Sequence, residues 1–307
     1  MVKLDIVSGF LGAGKTTLIK KILSACTTNK EKVILIENEF GQVSVDSEIL
    51  RIEGFQIYEL SRGCVCCTLR DDFIFTLKQI LTQNPVRIIV EPSGIFILGE
   101  IFDLFKDPEI SSKCYINSVT TVVDGVNYCH QKNSFSSFLE NQIANASTLV
   151  ISKTQFLEPS KIPEIVKELQ QVNDTAAITS KNWSNLSVQE ILLLLDGNTK
   201  YALNNIISSP AAGFQHSRHN HSFETLGLRT TRNIEKPELE NILERFKRLE
   251  YGHILRGKGF IKANNTNLEF SYVDGKYNIT KANSQIPGMV SLIGTGLQRD
   301  KLIAAFT

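Results

Sequence analysis

Several things are missing from this chain, and each absence removes a class of function. There is no long basic run, and the formal net charge over 307 residues is only +1. Nucleic acid and acidic membrane surfaces are therefore not its expected partners. Long apolar runs are also absent: the longest, around Ile191 to Leu195, is far too short to span a bilayer. The opening residues, MVKLDIVSGF, lack a charged leader followed by an apolar stretch, and they read as a first strand instead of a signal peptide. Six cysteines are present, but three crowd into CVCC, which is not the spacing of a secreted disulfide framework. The expected compartment is the reducing cytoplasm. No internal repeat or low-complexity tract is visible.

What is there reads as an ordered globular chain with two domains. Apolar residues at 42% and charged residues at 21% allow a sizeable core. Through residue 197, short β-rich runs alternate with helical patterns. Expected strands are Leu4–Ser8, Lys32–Glu37, Gln56–Leu60, Val86–Glu91, Ser118–Asp124, Thr148–Ser152 and Ala176–Thr179. Several, such as VILIE, RIIVE and TLVIS, are nearly continuous apolar runs, as parallel strands covered on both faces require. Expected helices between them are Thr16–Ser24, Thr68–Leu81, Leu98–Phe105, Phe135–Ala146, Ile162–Gln171 and Val188–Leu195. The alternation predicts an α/β fold, a mostly parallel sheet flanked by helices with right-handed crossovers. Residues 198–220, rich in Asn, Ser, Ala, Gly and Pro, read as a linker. Residues 221–307 read as a small α+β domain, with a helix at Lys236–Leu249 and Asp274-Gly275 as a hairpin turn.

The strongest motif is GFLGAGKTT, residues Gly9 to Thr17, which has the full phosphate-loop spacing between a strand and a helix. Glycines let backbone N–H groups turn onto phosphate oxygens, and the helix start adds the positive end of its dipole. Lys15 is placed to reach the β- and γ-phosphates of a nucleoside triphosphate, and the Thr16 hydroxyl to hold Mg²⁺. Glu91 closes the strand RIIV, where an acid facing the metal belongs, and Pro92-Ser93-Gly94 follows as a turn able to sense a γ-phosphate. Glu37, Glu39 and Asp46 follow the second strand, where P-loop GTPases carry their first switch.

A second cluster, Cys64-Val65-Cys66-Cys67, lies between an expected strand and helix. Three thiols this close suit one soft cation such as Zn²⁺, and Arg62 and Arg70 favour the thiolates. On residue chemistry alone, a redox pair or buried thiols remain equal alternatives. His216, His219 and His221 form H-x-x-H-x-H in the linker, a weak metal site unless a further ligand joins them.

Taken together, GFLGAGKTT, ENEFGQVSVD, GCVCCTLRDD and IIVEPSG resemble the CobW-like family of metal-chaperone GTPases, relatives of UreG and HypB. The resemblance extends through HSFETLGLR, LRGKGFI and SLIGTGL, which look like that family's C-terminal domain. It implies GTP hydrolysis coupled to binding of Zn²⁺ or Co²⁺ and delivery to a client metalloprotein or cofactor-pathway enzyme, with homo-oligomers possible. It assigns Gly9, Gly12, Ala13, Gly14, Lys15, Thr16 and Thr17 to the phosphates, and Asp46 and Glu91 to Mg²⁺ and switching. Cys64, Cys66 and Cys67, joined by Glu37, take the transferable metal. The family's base motif is N/T-K-x-D, whereas this chain has Ser152-Lys153-Thr154-Gln155. An amide at Gln155 cannot offer guanine two anionic acceptors, so discrimination against ATP is expected to be looser. Lys153 can still lay its stem along a base, and Ser180-Lys181 resembles the later base-binding loop. Two other readings compete. One is a non-catalytic, nucleotide-dependent accessory module, told apart by its lack of turnover. The other is a small-molecule kinase, told apart by phosphate passing to an acceptor instead of water.

Overall fold

The computed structural model describes residues 1–37, 55–59, 68–92, 98–196, 224–264, 266–282 and 288–307. These fall into two compact units, one up to residue 196 and one from residue 224.

The first unit is built on seven strands: β1 (Val2–Gly9), β2 (Val33–Glu37), β3 (Ile57–Glu59), β4 (Arg87–Glu91), β5 (Cys114–Asp124), β6 (Thr148–Ser152) and β7 (Ala177–Thr179). Their order is β3-β2-β4-β1-β5-β6-β7, and every pairing is parallel. Helices α1 (Lys15–Thr28), α2 (Thr68–Leu81), α3 (Gly99–Leu104), α4 (Pro108–Ser111), α5 (Tyr128–Ala144), α6 (Lys161–Val172) and α7 (Val188–Asp196) join them. This is the parallel α/β architecture that the strand–helix alternation predicts. Every residue of β4 and β6 is buried, as expected of strands covered on both faces. On α1 the buried residues Leu18, Ile19, Ile22, Leu23, Ala25 and Cys26 recur at helical spacing, so one stripe faces the core. The Leu4, Ile6, Ile34, Ile36, Ile88 and Val90 side chains pack with Leu77 and Ile80 of α2 in one core. Val123, Leu149 and Ile151 pack with α5 and α6 in another.

Among the differences from the sequence expectation, three have a clear local cause. Strand β5 starts at Cys114, not Ser118, because Cys114 and Ile116 are buried and Cys114 pairs with Val2. Helix α5 starts at Tyr128, not Phe135. Its first turns, YCHQKNS, carry no apolar period, and the backbone breaks at Phe135 (φ −140°, ψ 34°), where the periodic stretch begins. The short α4 went unexpected, although it carries an ordinary cap: Asp107 accepts from the Glu109 N–H (2.8 Å), and Pro108 opens the turn.

The second unit is an antiparallel five-stranded sheet with two helices. Its strands are β8 (Glu224–Arg229), β9 (His253–Lys262), β10 (Asn267–Val273), β11 (Lys276–Ala282) and β12 (Met289–Thr295), in the order β11-β10-β9-β12-β8. Helices α8 (Lys236–Lys247) and α9 (Arg299–Phe306) share one core with it. Phe246 of α8 lies edge-on to Tyr272 (5.2 Å), and Phe306 of α9 stacks on Phe270 (6.0 Å). The β10–β11 hairpin turns through Asp274 and Gly275, both at positive φ, as a right-twisted two-residue turn demands.

Candidate functional site

The carboxyl ends of the parallel strands converge on the loop between β1 and α1, the usual ligand edge of such a sheet. Gly9 has φ +143°, and a Cβ on it would lie 2.4 Å from the Val122 carbonyl oxygen, so no side chain fits there. Gly14, at φ +103°, caps α1. Among the described residues no side chain caps the start of α1, and its first turn holds no acid. The positive end of its dipole therefore faces the loop with no acid of its own first turn against it.

Lys15 is buried, with its Nζ 3.5 Å from the Phe10 carbonyl oxygen and 4.0 Å from Glu91 Oε1. Thr16 Oγ1 donates to the same carboxylate oxygen at 3.5 Å. Glu91 ends β4 and is directly in register with Glu37 on β2, both buried. Glu59 on β3 is in register with Glu37 in turn. Gly12 lies in the loop at positive φ, Ala13 is buried and Thr17 is exposed.

Farther along the same edge, Lys153 sits at φ +60° after β6. Its ammonium meets Asp124 Oδ2 at 2.6 Å. Asp124 is fully buried and also accepts from Val126 N, Asn127 N and Asn127 Nδ2. It thus fixes the loop after β5 to the loop after β6. Gln155 is exposed in the short turn Thr154–Phe156, and Ser180 is half-buried beyond β7. Asp124 was not singled out from sequence. An acid closing an apolar strand was a usable signal, the same one that marked Glu91.

Phe10, inside the phosphate loop, stacks on Phe135 at the break in α5 (4.9 Å, 28°). Asn141 of that helix accepts from Leu98 N at 3.3 Å, where the described chain resumes after residues 93–97. Helix α5 therefore touches both the phosphate loop, through Phe10, and the chain at Leu98.

Asp46, Cys64, Cys66, Cys67, Ser93, Gly94, His216, His219 and His221 lie outside the described residues. Among the described residues no three His, Cys, Asp or Glu side chains gather as a metal-ligand set. Cys26 and Cys114 are buried, and burial pushes both thiols up to about 12, which leaves them protonated and unreactive. Cys129 and His130 are exposed, and His253 Nε2 lies 3.1 Å from Asp274 Oδ1 in the second unit. Among the described residues no helix is long and apolar enough to cross a membrane.

A glycine loop at the end of a central parallel strand, a buried lysine at the following helix start and a strand-ending acid beside its threonine define a P-loop nucleotide-binding protein. Residues 3–180 match the model of the CobW/HypB/UreG nucleotide-binding domain, and residues 223–307 that of the cobalamin synthesis protein cobW C-terminal domain. The chain belongs to this CobW/HypB/UreG family. It is 31% identical to a zinc chaperone CobW from Sinorhizobium sp, over 53% of this chain and 54% of that one. It is 27% identical to the zinc chaperone YjiA of Escherichia coli, over 85% of this chain and 81% of that one. The chain spans about half the length of the first curated relatives it matches. Among solved structures it is similar to the Zn(II)-bound YjiA GTPase from E. coli, at 20% identity and a TM-score of 0.48, covering 99% of this chain and 97% of that one.

Proposed function

We propose that the chain is a GTP-hydrolysing metallochaperone of the reducing cytoplasm. Nucleotide turnover would govern its hold on Zn²⁺ or Co²⁺ bound for a client metalloprotein or cofactor-pathway enzyme. The observation that carries the nucleotide half is the corner made by Lys15, Thr16 and Glu91, together with the open positive start of α1. The family membership and the names of the relatives support the metal half.

In this reading the backbone of Gly9 to Thr17 holds the phosphates, and Lys15 turns from the Phe10 carbonyl to the β- and γ-oxygens. Thr16 and Glu91 offer hard oxygens of the kind Mg²⁺ takes, with Asp46 as a further contributor. When bound, Mg²⁺ neutralises charge developing on the phosphates. Water attacks the γ-phosphorus, the bond to the bridging oxygen breaks, and phosphate leaves. Lys153 and Ser180 flank the base. The transferable metal is a substrate held by Cys64, Cys66 and Cys67, with Glu37 at the neighbouring strand end. Because Glu37 is in register with Glu91, loss of the γ-phosphate has a short path to the metal ligands.

Two measurements test this. Phosphate release from GTP with Mg²⁺, with and without Zn²⁺, checks turnover; its absence under every condition would leave the accessory module or a kinase that needs its acceptor. Zn²⁺ titrations of reduced protein and of Cys66→Ser, each with GDP and with a non-hydrolysable GTP analogue, check coupling. The expected result is weaker Zn²⁺ binding in the variant and nucleotide-dependent affinity in the parent chain. By linkage, Zn²⁺ then alters nucleotide affinity by the same factor. Equal Zn²⁺ affinity in both nucleotide states would remove the coupling.

A further inference from the structure

The chain has one tryptophan, Trp183. Trp183 opens the short turn Trp183–Asn185 that follows β7, and it is half-buried. Its indole reaches the phosphate loop: a Cβ on Gly14 would lie 3.2 Å from Trp183 Cη2 and 3.3 Å from Cζ2. Gly14 follows the central strand β1, whereas Trp183 follows the edge strand β7, with β5 and β6 between them. A large aromatic side chain thus crosses from the base end of the candidate site to its phosphate end.

The loop after β7 also carries Ser180, and the loop after β6 carries Lys153, whose ammonium is held by Asp124. A nucleotide with its phosphates along Gly9 to Thr16 and its base between Lys153 and Ser180 must lay its nucleoside across the interval that Trp183 closes. We propose that Trp183 is a nucleoside contact, its indole supplying an apolar face to ribose and base. The assignment rests on the nucleotide-binding reading above and deepens it. Aromatic faces accept any base, because every base has a π-face. Gln155 cannot present the two anionic acceptors that would read guanine's edge. Affinity at this site therefore comes from the face of the base more than from its edge, and GTP and ATP are separated only weakly.

Because Trp183 is the sole tryptophan, its emission reports on this contact directly. Emission is followed while the protein is titrated with Mg²⁺ and GDP, ADP or pyrophosphate. Affinities for all three are then measured calorimetrically for the parent chain, Trp183→Phe and Trp183→Ala. The expected result is an emission change with GDP and ADP but not with pyrophosphate. Trp183→Ala loses about tenfold or more for both nucleotides, and Trp183→Phe keeps most of the affinity. Pyrophosphate affinity is unchanged in either variant. A parallel loss of pyrophosphate binding would overturn the assignment and make Trp183 a strut for Gly14. So would nucleotide binding that leaves the parent emission unmoved, a readout that needs no variant to fold. If the parent chain binds pyrophosphate and neither nucleotide, the nucleoside contact falls while the phosphate site stands. Binding of none of the three overturns both.

Discussion

The two ends of the parallel sheet both collect charge, and they spend it differently. At the amino ends, Arg87 is wholly buried and donates to Asp5 (2.5 Å), Glu31 (3.0 Å) and Asp196 (2.9 Å). Ser118 Oγ and Asn117 Nδ2 donate to Asp5 at 2.6 and 2.8 Å, and Lys3 reaches Asp196 at 3.1 Å. This cluster ties the starts of β1, β4 and β5 to the end of α7 and to the chain following α1. At the carboxyl ends, Lys15 and Thr16 face Glu91 across 4.0 and 3.5 Å. Short, mutual pairing makes the amino end a clamp. Wider spacing of Lys15 and Thr16 from Glu91, at a helix start without a side-chain cap, leaves room there for phosphates and a cation to enter between the groups.

If that division holds, substitutions at the two ends fail in opposite ways. The largest effect is expected from Arg87→Met, which strands the fully buried Asp5 carboxylate and costs about 3–5 kcal/mol of folding stability in urea unfolding. Nucleotide affinity per folded molecule is expected to stay unchanged. Lys15→Met is expected to do the reverse. Turnover falls by about 10²–10³, the usual effect of losing one preorganised charge donor to the transition state. Stability is expected to fall less than in Arg87→Met, because Lys15 and Glu91 stand 4.0 Å apart where Arg87 pairs at 2.5 to 3.0 Å. Equal stability losses in the two variants would erase the distinction between clamp and site.

A smaller effect concerns acid. Partial burial pushes the Asp196 carboxyl up, but the Asn117 amide, Arg87 and Lys3 outweigh it and hold Asp196 below the ordinary aspartate value of 3.8. A carboxyl lowered in the folded state stabilises above its unfolded value and loses that contribution as pH falls through the folded value. Asp5 has the opposite sign: burial pushes it up against the pull of Arg87, Ser118 and Asn117, so its protonation does not favour unfolding. Asp196→Asn is therefore expected to cost about 2 kcal/mol near neutrality, the scale of a hydrogen bond to a charged group. It should also flatten the loss of stability below pH 3.8, read from urea midpoints against pH. An unchanged acid limb would shift the burden to other carboxylates.

The carboxyl end was far more legible in sequence than the amino end, for a physical reason. Phosphate binding uses a contiguous loop with glycines at forced positions, and Glu91 advertises itself by ending an apolar run. The clamp uses residues that look like errors in their own strands. Asp5 interrupts LDIV, Arg87 opens RIIVE, and Asn117 sits in a stretch that reads as a loop. Their partners lie 82, 112 and 109 positions away along the chain, so local pattern carries no trace of the pairing. The same applies to Trp183 and Gly14, which meet only because β7 and β1 end on one edge. Secondary structure was readable wherever burial made a period. It failed at the start of α5, where polar turns are held by a few buried contacts at Tyr128 and Gln131.

Gln155→Asp is the mildest change and the sharpest test of the carboxyl end as an adjustable site. Gln155 is exposed, so the substitution is expected to leave unfolding midpoints within about 0.5 kcal/mol. What changes is chemistry: a carboxylate offers two anionic acceptors where the amide offers one neutral oxygen. Guanine presents N–H donors on the edge where adenine presents none in that arrangement. The variant is therefore expected to gain about tenfold in GDP over ADP affinity, the scale of a charge-assisted hydrogen bond, in a competition titration. If Trp183 supplies the face contact, that gain adds to a weak starting preference and comes from tighter GDP binding, with ADP little altered. A high preference for guanine in the parent chain, unmoved by the carboxylate, would mean that Ser152 to Gln155 is not the segment that meets the base. The division between the two ends would survive that outcome, because Arg87 and Lys15 test it without reference to the base.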